Sequence, residues 1–187
     1  MIYLIRHAES VSNAGGKTAS DKENPLTEKG FQQSIDLLQR ISGKPDLIVV
    51  SPYFRAQQTA EPLIKKYPDV AVETWNVQEF TFLDSDLCNN TTHDERLLIR
   101  SEYIAQNSPD LIHGKGAESF NQMLQRVDDM LDKLKNIDKN KFIVIFTHGH
   151  FIRATLARKN KQTVTFDDIF EGKIINNSDI INFSLRF

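Results

Sequence analysis

Two neighbouring side chains, Arg6 and His7, stand where the first apolar run of the chain ends. The run from Met1 to Ile5 is typical of a short buried strand, and no turn residue separates it from the polar segment that follows. Ligands of open parallel sheets bind outside the carboxyl ends of the strands, so chemistry is expected here. A neutral imidazole can attack phosphorus, and a neighbouring guanidinium is suited to hold phosphoryl oxygens. The dipeptide alone is weak evidence, because short motifs often mislead.

Two further apolar runs end in segments of the same kind. Leu47 to Val50 is followed by a segment that contains Arg55, and Phe142 to Phe146 is followed by Thr147-His148-Gly149. Taken singly, Arg55 also fits a surface ion pair, and His148 also fits a buried structural histidine. At the ends of neighbouring parallel strands, however, these side chains would form one positively charged pocket. Such a pocket is costly without an anion to bind, which favours a phosphate site.

The same segments resemble the histidine phosphatase superfamily, the phosphoglycerate mutase-like proteins. Ordered matches along one chain are more specific than any single motif. The matching segments are Arg6-His7-Ala8-Glu9-Ser10 with Asn13, Asn24-Pro25-Leu26-Thr27-Glu28-Lys29-Gly30, Ser51-Pro52 with Arg55-Ala56-Gln57-Gln58-Thr59-Ala60, Ala117-Glu118-Ser119-Phe120 and Thr147-His148-Gly149.

The resemblance implies that His7 is the nucleophile that becomes phosphorylated. Attack requires one ring nitrogen to be free, with the other held by a backbone carbonyl. A protonated His148 would add a positive charge to the site. The groups expected to bind the substrate phosphate are Arg6, Asn13, Arg55, His148 and Gly149.

Phosphoryl transfer also needs an acid for the leaving alkoxide and then a base for water. Glu79 is the candidate, because it follows the third predicted strand as the family acid does. Burial beside Phe80 and Phe82 is expected to raise its pKa. The sequence after Glu79 departs from many relatives, so Asp84 and Asp86 remain alternatives.

Two positions depart from the family pattern near the strand ends. Ala8 stands where a glycine is common, and this small side chain is expected to be tolerated. His150 stands where many relatives have a second glycine, and we assign it no catalytic role.

These residues favour a metal-independent phosphomonoester phosphatase with a phosphohistidine intermediate. One alternative is a mutase of the phosphoglycerate mutase type, although the short chain favours hydrolysis. A second alternative is a non-catalytic domain that binds phosphorylated ligands. Basic residues in two long loops are candidates to bind a second anionic group of the substrate, whereas most of them also fit a solvated charged surface, which is the favoured interpretation for that majority. These basic residues are Lys17, Lys22, His93, Arg96, Arg100, His113 and Lys115.

Composition narrows the class of protein. The 187 residues fit one domain, residues 1–187, and the net charge of -2 argues against a general binder of nucleic acid or anionic membranes. The single cysteine excludes an internal disulfide, and no leader or membrane-spanning pattern is found, so a cytoplasmic location is expected. No cofactor is expected, and Arg6 and Arg55 would repel a metal ion. The expected partner is a small phosphorylated substrate or phosphate, with the chain a monomer or a homodimer.

The apolar periodicity predicts a three-layer α/β/α fold, with a mostly parallel sheet and an antiparallel edge strand reached through Asn176-Asn177. In the first helix it places Phe31, Ile35, Leu38 and Ile41 on one face. Residues 76 to 115 have the weakest pattern, with a possible helix from Glu95 to Ile104. The predicted strands are Met1–Ile5, Asp46–Val50, Val70–Trp75, Phe142–Phe146 and a final alternating segment, Ile181–Phe187. Helices are predicted at Thr27–Ile41, Phe54–Tyr67 and Glu118–Lys135, with a further helix after Phe146.

Overall fold

One mixed sheet forms the centre of the computed structural model, which describes residues 1–18, 20–161 and 163–185. In spatial order the strands are β3, β2, β4, β1 and β5. The first four of these run parallel, and β5 pairs antiparallel with β1 at one edge. The predicted mostly parallel sheet with an antiparallel edge strand is therefore confirmed. The strands are β1 (Ile2–Arg6), β2 (Leu47–Val50), β3 (Ala71–Thr74), β4 (Ile143–Thr147) and β5 (Ile180–Phe183).

Helices cover both faces of the sheet, because successive strand residues point to opposite sides. Ile5, Ile48 and Val144 pack with α1 and α2, whereas Leu4, Val49 and Ile145 pack with α4 to α7. These are the three layers that the sequence predicts. The helices are α1 (Glu28–Arg40), α2 (Phe54–Lys66), α3 (Ser85–Cys88), α4 (Leu97–Gln106), α5 (Phe120–Lys135), α6 (Gly149–Asn160) and α7 (Phe166–Phe170). Within the described ranges, no helix is long and apolar enough to cross a lipid bilayer.

The buried face of α1 differs from the predicted one. Phe31 is 42% exposed and Ile35 is 51% exposed, whereas Gly30, Ser34 and Leu37 are buried. A β-carbon built on Gly30 would stand 2.0 Å from the carbonyl oxygen of Glu9. The small side chains therefore let the helix approach the loop after β1, while Phe31 and Ile35 face solvent and Ile41 is buried as predicted.

Several predicted ends of helices and strands are shifted by one residue, and two are shifted further. The helix predicted from Glu118 begins at Phe120, because the Ser119 hydroxyl accepts from the backbone N–H of Gln122 and the Gln122 side chain accepts from the N–H of Ser119. This capping box fixes the helix start. The predicted final strand ends at Phe183, and its last two residues, Arg186 and Phe187, lie outside the described part of the chain.

The weakly patterned segment 76–115 folds beside the carboxyl ends of the strands. It contains α3, a 3-10 turn at Asp94–Arg96 and α4, which overlaps the predicted helix from Glu95 to Ile104. The Arg96 guanidinium donates to the Ser12 hydroxyl at 3.3 Å, so this segment contacts the loop that follows β1.

Candidate active site

The carboxyl ends of β1, β2 and β4 are joined by backbone hydrogen bonds. The N–H of His7 donates to the Thr147 carbonyl at 2.9 Å, and the N–H of Ser51 donates to the Phe146 carbonyl at 3.0 Å. The centroids of the His7 and His148 rings lie 5.0 Å apart. A cavity of about 390 Å³ opens at this edge of the sheet. Among the side chains that line it are Arg6, His7, Asn13, Arg55, Glu79 and His150.

The protonation of His7 is fixed by its neighbours. Its Nδ1 lies 2.7 Å from the Ala8 carbonyl oxygen, which only accepts, so Nδ1 carries the proton. Its Nε2 is then an acceptor and takes a hydrogen bond from Arg55 Nε at 3.1 Å. Burial, with the charges of Arg55 and Arg6, holds the pKa of His7 well below its usual value. His7 is thus a neutral imidazole with a basic Nε2, as a nucleophile requires.

Arg6 and Arg55 bring two positive charges to the cavity. Arg55 is 4% exposed, donates to the Asp21 carbonyl through Nη1, and lies over the Tyr53 ring at 5.1 Å. Arg6 donates to the Ile175 carbonyl at 2.6 Å, and its buried Nε has no partner. Within the described residues, neither guanidinium makes an ion pair with a carboxylate. Their charges are therefore open to an anion.

His148 lies behind His7 and is fully buried. Its Nε2 lies 2.8 Å from the Ser51 hydroxyl, and its Nδ1 has no hydrogen-bond partner. Burial and the charge of Arg55 hold the pKa of His148 well below its usual value. His148 is therefore a neutral imidazole in this state of the site, and it would add a positive charge only on protonation.

Asn13 and Gly149 flank this group. The Asn13 side-chain oxygen accepts from the Ser10 hydroxyl at 3.1 Å and from Asn177 Nδ2 at 2.9 Å. These bonds fix the Asn13 amide at the cavity wall. A β-carbon on Gly149 would stand 3.5 Å from Arg6 Nε, so this glycine lies directly against the guanidinium rather than on the cavity surface.

Glu79 lines the cavity and accepts two backbone hydrogen bonds. Its Oε1 takes the N–H of Phe80 at 3.0 Å and that of His150 at 3.1 Å. Burial raises the pKa of Glu79, as the sequence predicts, but the charges of His150, Arg55 and Arg6 and the Phe80 N–H outweigh it and leave the pKa below its usual value. The expected raised pKa is therefore wrong here, since the cations around the carboxylate stabilise its ionised form.

The family model of the histidine phosphatase superfamily (branch 1) matches residues 2–174. The chain belongs to this superfamily. The resemblance of its strand-end motifs is thereby confirmed.

Relatives and solved structures of this superfamily match most of the chain. A metal-independent phosphoserine phosphatase of Arabidopsis thaliana is 27% identical over 183 residues, 95% of this chain and 73% of its own length. A 5''-phosphoribostamycin phosphatase of Niallia circulans is 30% identical over 164 residues, 83% of this chain and 76% of its own. The fold matches that of a phosphoserine phosphatase of Entamoeba histolytica with a TM-score of 0.74, at 23% identity, over 96% of this chain and 87% of that one.

The two alternative acids, Asp84 and Asp86, lie elsewhere. Asp84 caps α3 by accepting from the N–H of Asp86, and it also accepts from the N–H of Lys115. Asp86 is an exposed carboxylate that pairs with the Lys115 ammonium at 3.1 Å. Neither aspartate lines the cavity, whereas Glu79 does.

Three further cavity residues, His150, Arg153 and Phe170, were not assigned to the site from the sequence. His150 Nδ1 is buried without a hydrogen-bond partner, 3.6 Å from Glu79 Oε1. Arg153 lies one helical turn later in α6, and Phe170 comes from α7, which the periodicity did not predict. A signal for α7 was present, because Thr165 and Asp168 form a capping box.

A metal centre would require several ligand side chains close together. The residues that the structure describes contain no group of three or more His, Cys, Asp or Glu side chains placed to hold an ion.

Proposed function

We propose that this protein hydrolyses small phosphomonoesters without a metal ion, through a phosphohistidine on His7. The observation that carries the proposal is the His7 ring, whose Nδ1 is tied to a carbonyl and whose Nε2 is basic, beside two arginines that have no carboxylate partner. Phosphoryl transfer depends mainly on positioning and on stabilising charge on the oxygens, which this group of residues supplies. The phosphatases among the relatives support a hydrolase of phosphoric monoesters.

In the first step, His7 Nε2 attacks phosphorus and the bond from phosphorus to the ester oxygen breaks. Arg55 must exchange its hydrogen bond to Nε2 for one to a phosphoryl oxygen, and Arg6 Nε binds a second oxygen. The buried Nδ1 of His148 needs a partner, and a phosphoryl oxygen is suited to it once its proton is on that nitrogen.

Glu79 takes up a proton when the substrate binds, and it gives this proton to the leaving alkoxide in this step. The bound phosphoryl group offsets the charges of Arg6 and Arg55, so the pKa of Glu79 rises from its depressed value when substrate binds. In the second step, Glu79 accepts a proton from water as the water oxygen attacks phosphorus, the phosphorus–Nε2 bond breaks, and inorganic phosphate leaves.

The test is phosphate release from a panel of monoesters by wild type, His7→Ala and the control His113→Ala, with and without EDTA. We expect His7→Ala to abolish turnover, and neither His113→Ala nor EDTA to change the rate. Intact-protein mass spectrometry of rapidly quenched enzyme should detect a phosphoryl adduct on wild type that is missing in His7→Ala.

Other results would contradict the proposal. Isomerisation of 3-phosphoglycerate without free phosphate would indicate a mutase. Binding of vanadate with no turnover of any ester would indicate a non-catalytic phosphate-binding domain. A rate abolished by EDTA and restored by a divalent ion would exclude the metal-free mechanism.

A further inference from the structure

A second set of basic side chains lines the same cavity, apart from the groups around His7. We define the distal basic group as His93, Arg96, Arg100 and Arg153. The first three belong to the segment around the 3-10 turn and α4, and Arg153 belongs to α6. Two segments that are distant in sequence therefore place positive charge on one part of the wall. Of the seven basic residues considered from the sequence, only His93, Arg96 and Arg100 line the cavity.

The members of the distal basic group lie within electrostatic reach of one another. Burial, followed by the charges of Arg100 and Arg96, lowers the pKa of His93. Burial also lowers the pKa of Arg153, and the charge of Arg100 adds to this effect, while Glu79 and Glu171 oppose it only in part. Like charges held together in a half-buried wall cost free energy unless an anion joins them.

Nearby carboxylates do not cancel this cost, because none of them forms an ion pair with Arg96, Arg100 or Arg153 in the described part of the chain. By contrast, Lys17 pairs with Glu95 and Lys115 pairs with Asp86 on the exposed surface. Among the described residues, the three arginines of the distal basic group thus face the cavity without a carboxylate in an ion pair.

Hydrogen bonds to neutral groups hold two of the guanidinium groups, those of Arg96 and Arg153, in place. Arg96 donates to the Thr92 carbonyl at 3.0 Å and to the Ser12 hydroxyl at 3.3 Å. Arg153 donates to the carbonyls of Lys173 and Ile169 at 2.9 and 2.6 Å. These contacts orient the side chains without cancelling their charge, as in a preorganised anion site.

Arg100 is linked to the reactive end of the cavity through one aromatic ring. Its guanidinium lies 5.5 Å from the centroid of the Phe170 ring, and the His150 ring lies 5.3 Å from the same ring. His150 in turn lies beside Glu79. Phe170 and His150 therefore lie between Arg100 and the acid, and Phe170 offers the carbon skeleton of a substrate an apolar surface.

We propose that the natural substrate carries a second anionic group, a carboxylate or a second phosphate, which the distal basic group binds. This inference rests on the proposed function, because the phosphoryl group that is transferred must occupy the His7 end. The cavity of about 390 Å³ is at the small end of ligand sites, which fits a compact metabolite with two anionic ends.

The test compares pairs of esters that differ in the second anion. 3-Phosphoglycerate and glycerol 3-phosphate differ by a carboxylate in place of a hydroxymethyl group, and fructose 1,6-bisphosphate and fructose 6-phosphate differ by a second phosphate. In at least one pair we expect wild type to have a kcat/KM at least tenfold higher for the doubly anionic ester, mainly through a lower KM. The pair that shows the preference identifies the anion as a carboxylate or a phosphate.

Arg100→Gln is the informative variant, because Arg100 holds no backbone carbonyl in place and its loss removes mainly charge. We expect it to reduce that preference roughly tenfold to a hundredfold, the range for a lost charged hydrogen bond. Arg100→Lys should retain part of the preference. Lys115→Gln, which removes an exposed charge outside the cavity, is the matched control and should leave the preference unchanged.

The possible results distinguish a failure of the second-anion site from a failure of the proposed phosphatase function. Equal kcat/KM values within both pairs, or a preference that Arg100→Gln leaves intact, would overturn the second-anion site while phosphate release still supports the phosphatase. If no ester releases phosphate in a His7-dependent way, the proposed function fails and the inference fails with it. Melting temperatures of the variants verify that each one is folded.

Discussion

The charge of a single side chain, His7, sets the pH at which the nucleophile works. Its pKa lies well below the ordinary value of 6.5, because of burial and the charges of Arg55 and Arg6. His7 is neutral above its own pKa, so we expect kcat/KM for p-nitrophenyl phosphate to persist as pH falls below 6.5. In Arg6→Gln one of these charges is lost, and the acid limb should move to higher pH. A wild-type profile that falls with a single ionisation at 6.5 would contradict this assignment.

The role of Glu79 as the acid can be tested through the leaving group. An alkoxide needs a proton to leave, whereas p-nitrophenolate is a stable anion and does not. Glu79→Gln should therefore slow hydrolysis of glycerol 3-phosphate by roughly 10²–10⁴ and affect p-nitrophenyl phosphate much less. Asp86→Asn is the control, because Asp86 is an exposed carboxylate that pairs with Lys115. Equal losses for the two esters in Glu79→Gln would argue against proton donation.

The contact between α1 and the loop after β1 supports the site from outside. The N–H of Thr27 donates to the Glu9 carbonyl oxygen at 3.0 Å, and Gly30 lies directly against the same oxygen. Gly30→Ala would put a methyl group on this carbonyl, so we expect a loss of about 1–3 kcal/mol in the free energy of unfolding. An ordinary helical glycine would instead gain stability from alanine. Gln39→Ala, an exposed position of the same helix, is the control for denaturant titration.

Loss of activity should accompany this loss of stability in Gly30→Ala, because the displaced loop carries His7 and Asn13. This loop is also tied to the turn before β5, where Asn177 Nδ2 donates to the His7 carbonyl at 3.0 Å and to the Asn13 side-chain oxygen at 2.9 Å. A stabilised or fully active Gly30→Ala would show that the approach of α1 does not position this loop.

Elements with an uninterrupted apolar run were predictable from the sequence alone. β4 lies between β1 and β2, and all of its residues are buried, so its composition leaves no other interpretation. The face of α1 was not predictable in this way, because Gly30 and Ser34 are buried for their small size rather than for their hydrophobicity. Periodicity cannot detect a close approach of that kind.

The residues of the candidate site also divide into those that the sequence could predict and those that it could not. His7, Arg55 and His148 follow strands, so the topology of the sheet brings them together. His150 and Phe170 depend on how α6 and α7 pack over the cavity, and the sequence carries only the capping box of α7 as a local signal. The depressed pKa of Glu79 likewise depends on cations from three separate segments.

The molecule as a whole should lose stability in mild acid because of its buried neutral histidines. His7 and His148 are 2% and 0% exposed, and the pKa of each lies well below 6.5 in the folded state. Below pH 6.5 the unfolded chain takes up protons that the folded chain does not, so the stability present above 6.5 is lost as pH falls. The slope approaches about 1.4 kcal/mol per pH unit for each histidine.

Denaturant titrations between about pH 5 and 7 isolate this effect, because ordinary carboxyl groups titrate below about 4.5. Wild type should lose free energy of unfolding across that range, with a slope that increases as pH falls. His7→Gln removes one histidine with a lowered pKa, so its slope should be smaller by up to about 1.4 kcal/mol per pH unit, whatever its stability at pH 7. A wild-type stability that stays level from pH 7 to 5 would mean that the two imidazoles are protonated in the folded protein, and a charged His7 has no lone pair on Nε2 with which to attack phosphorus.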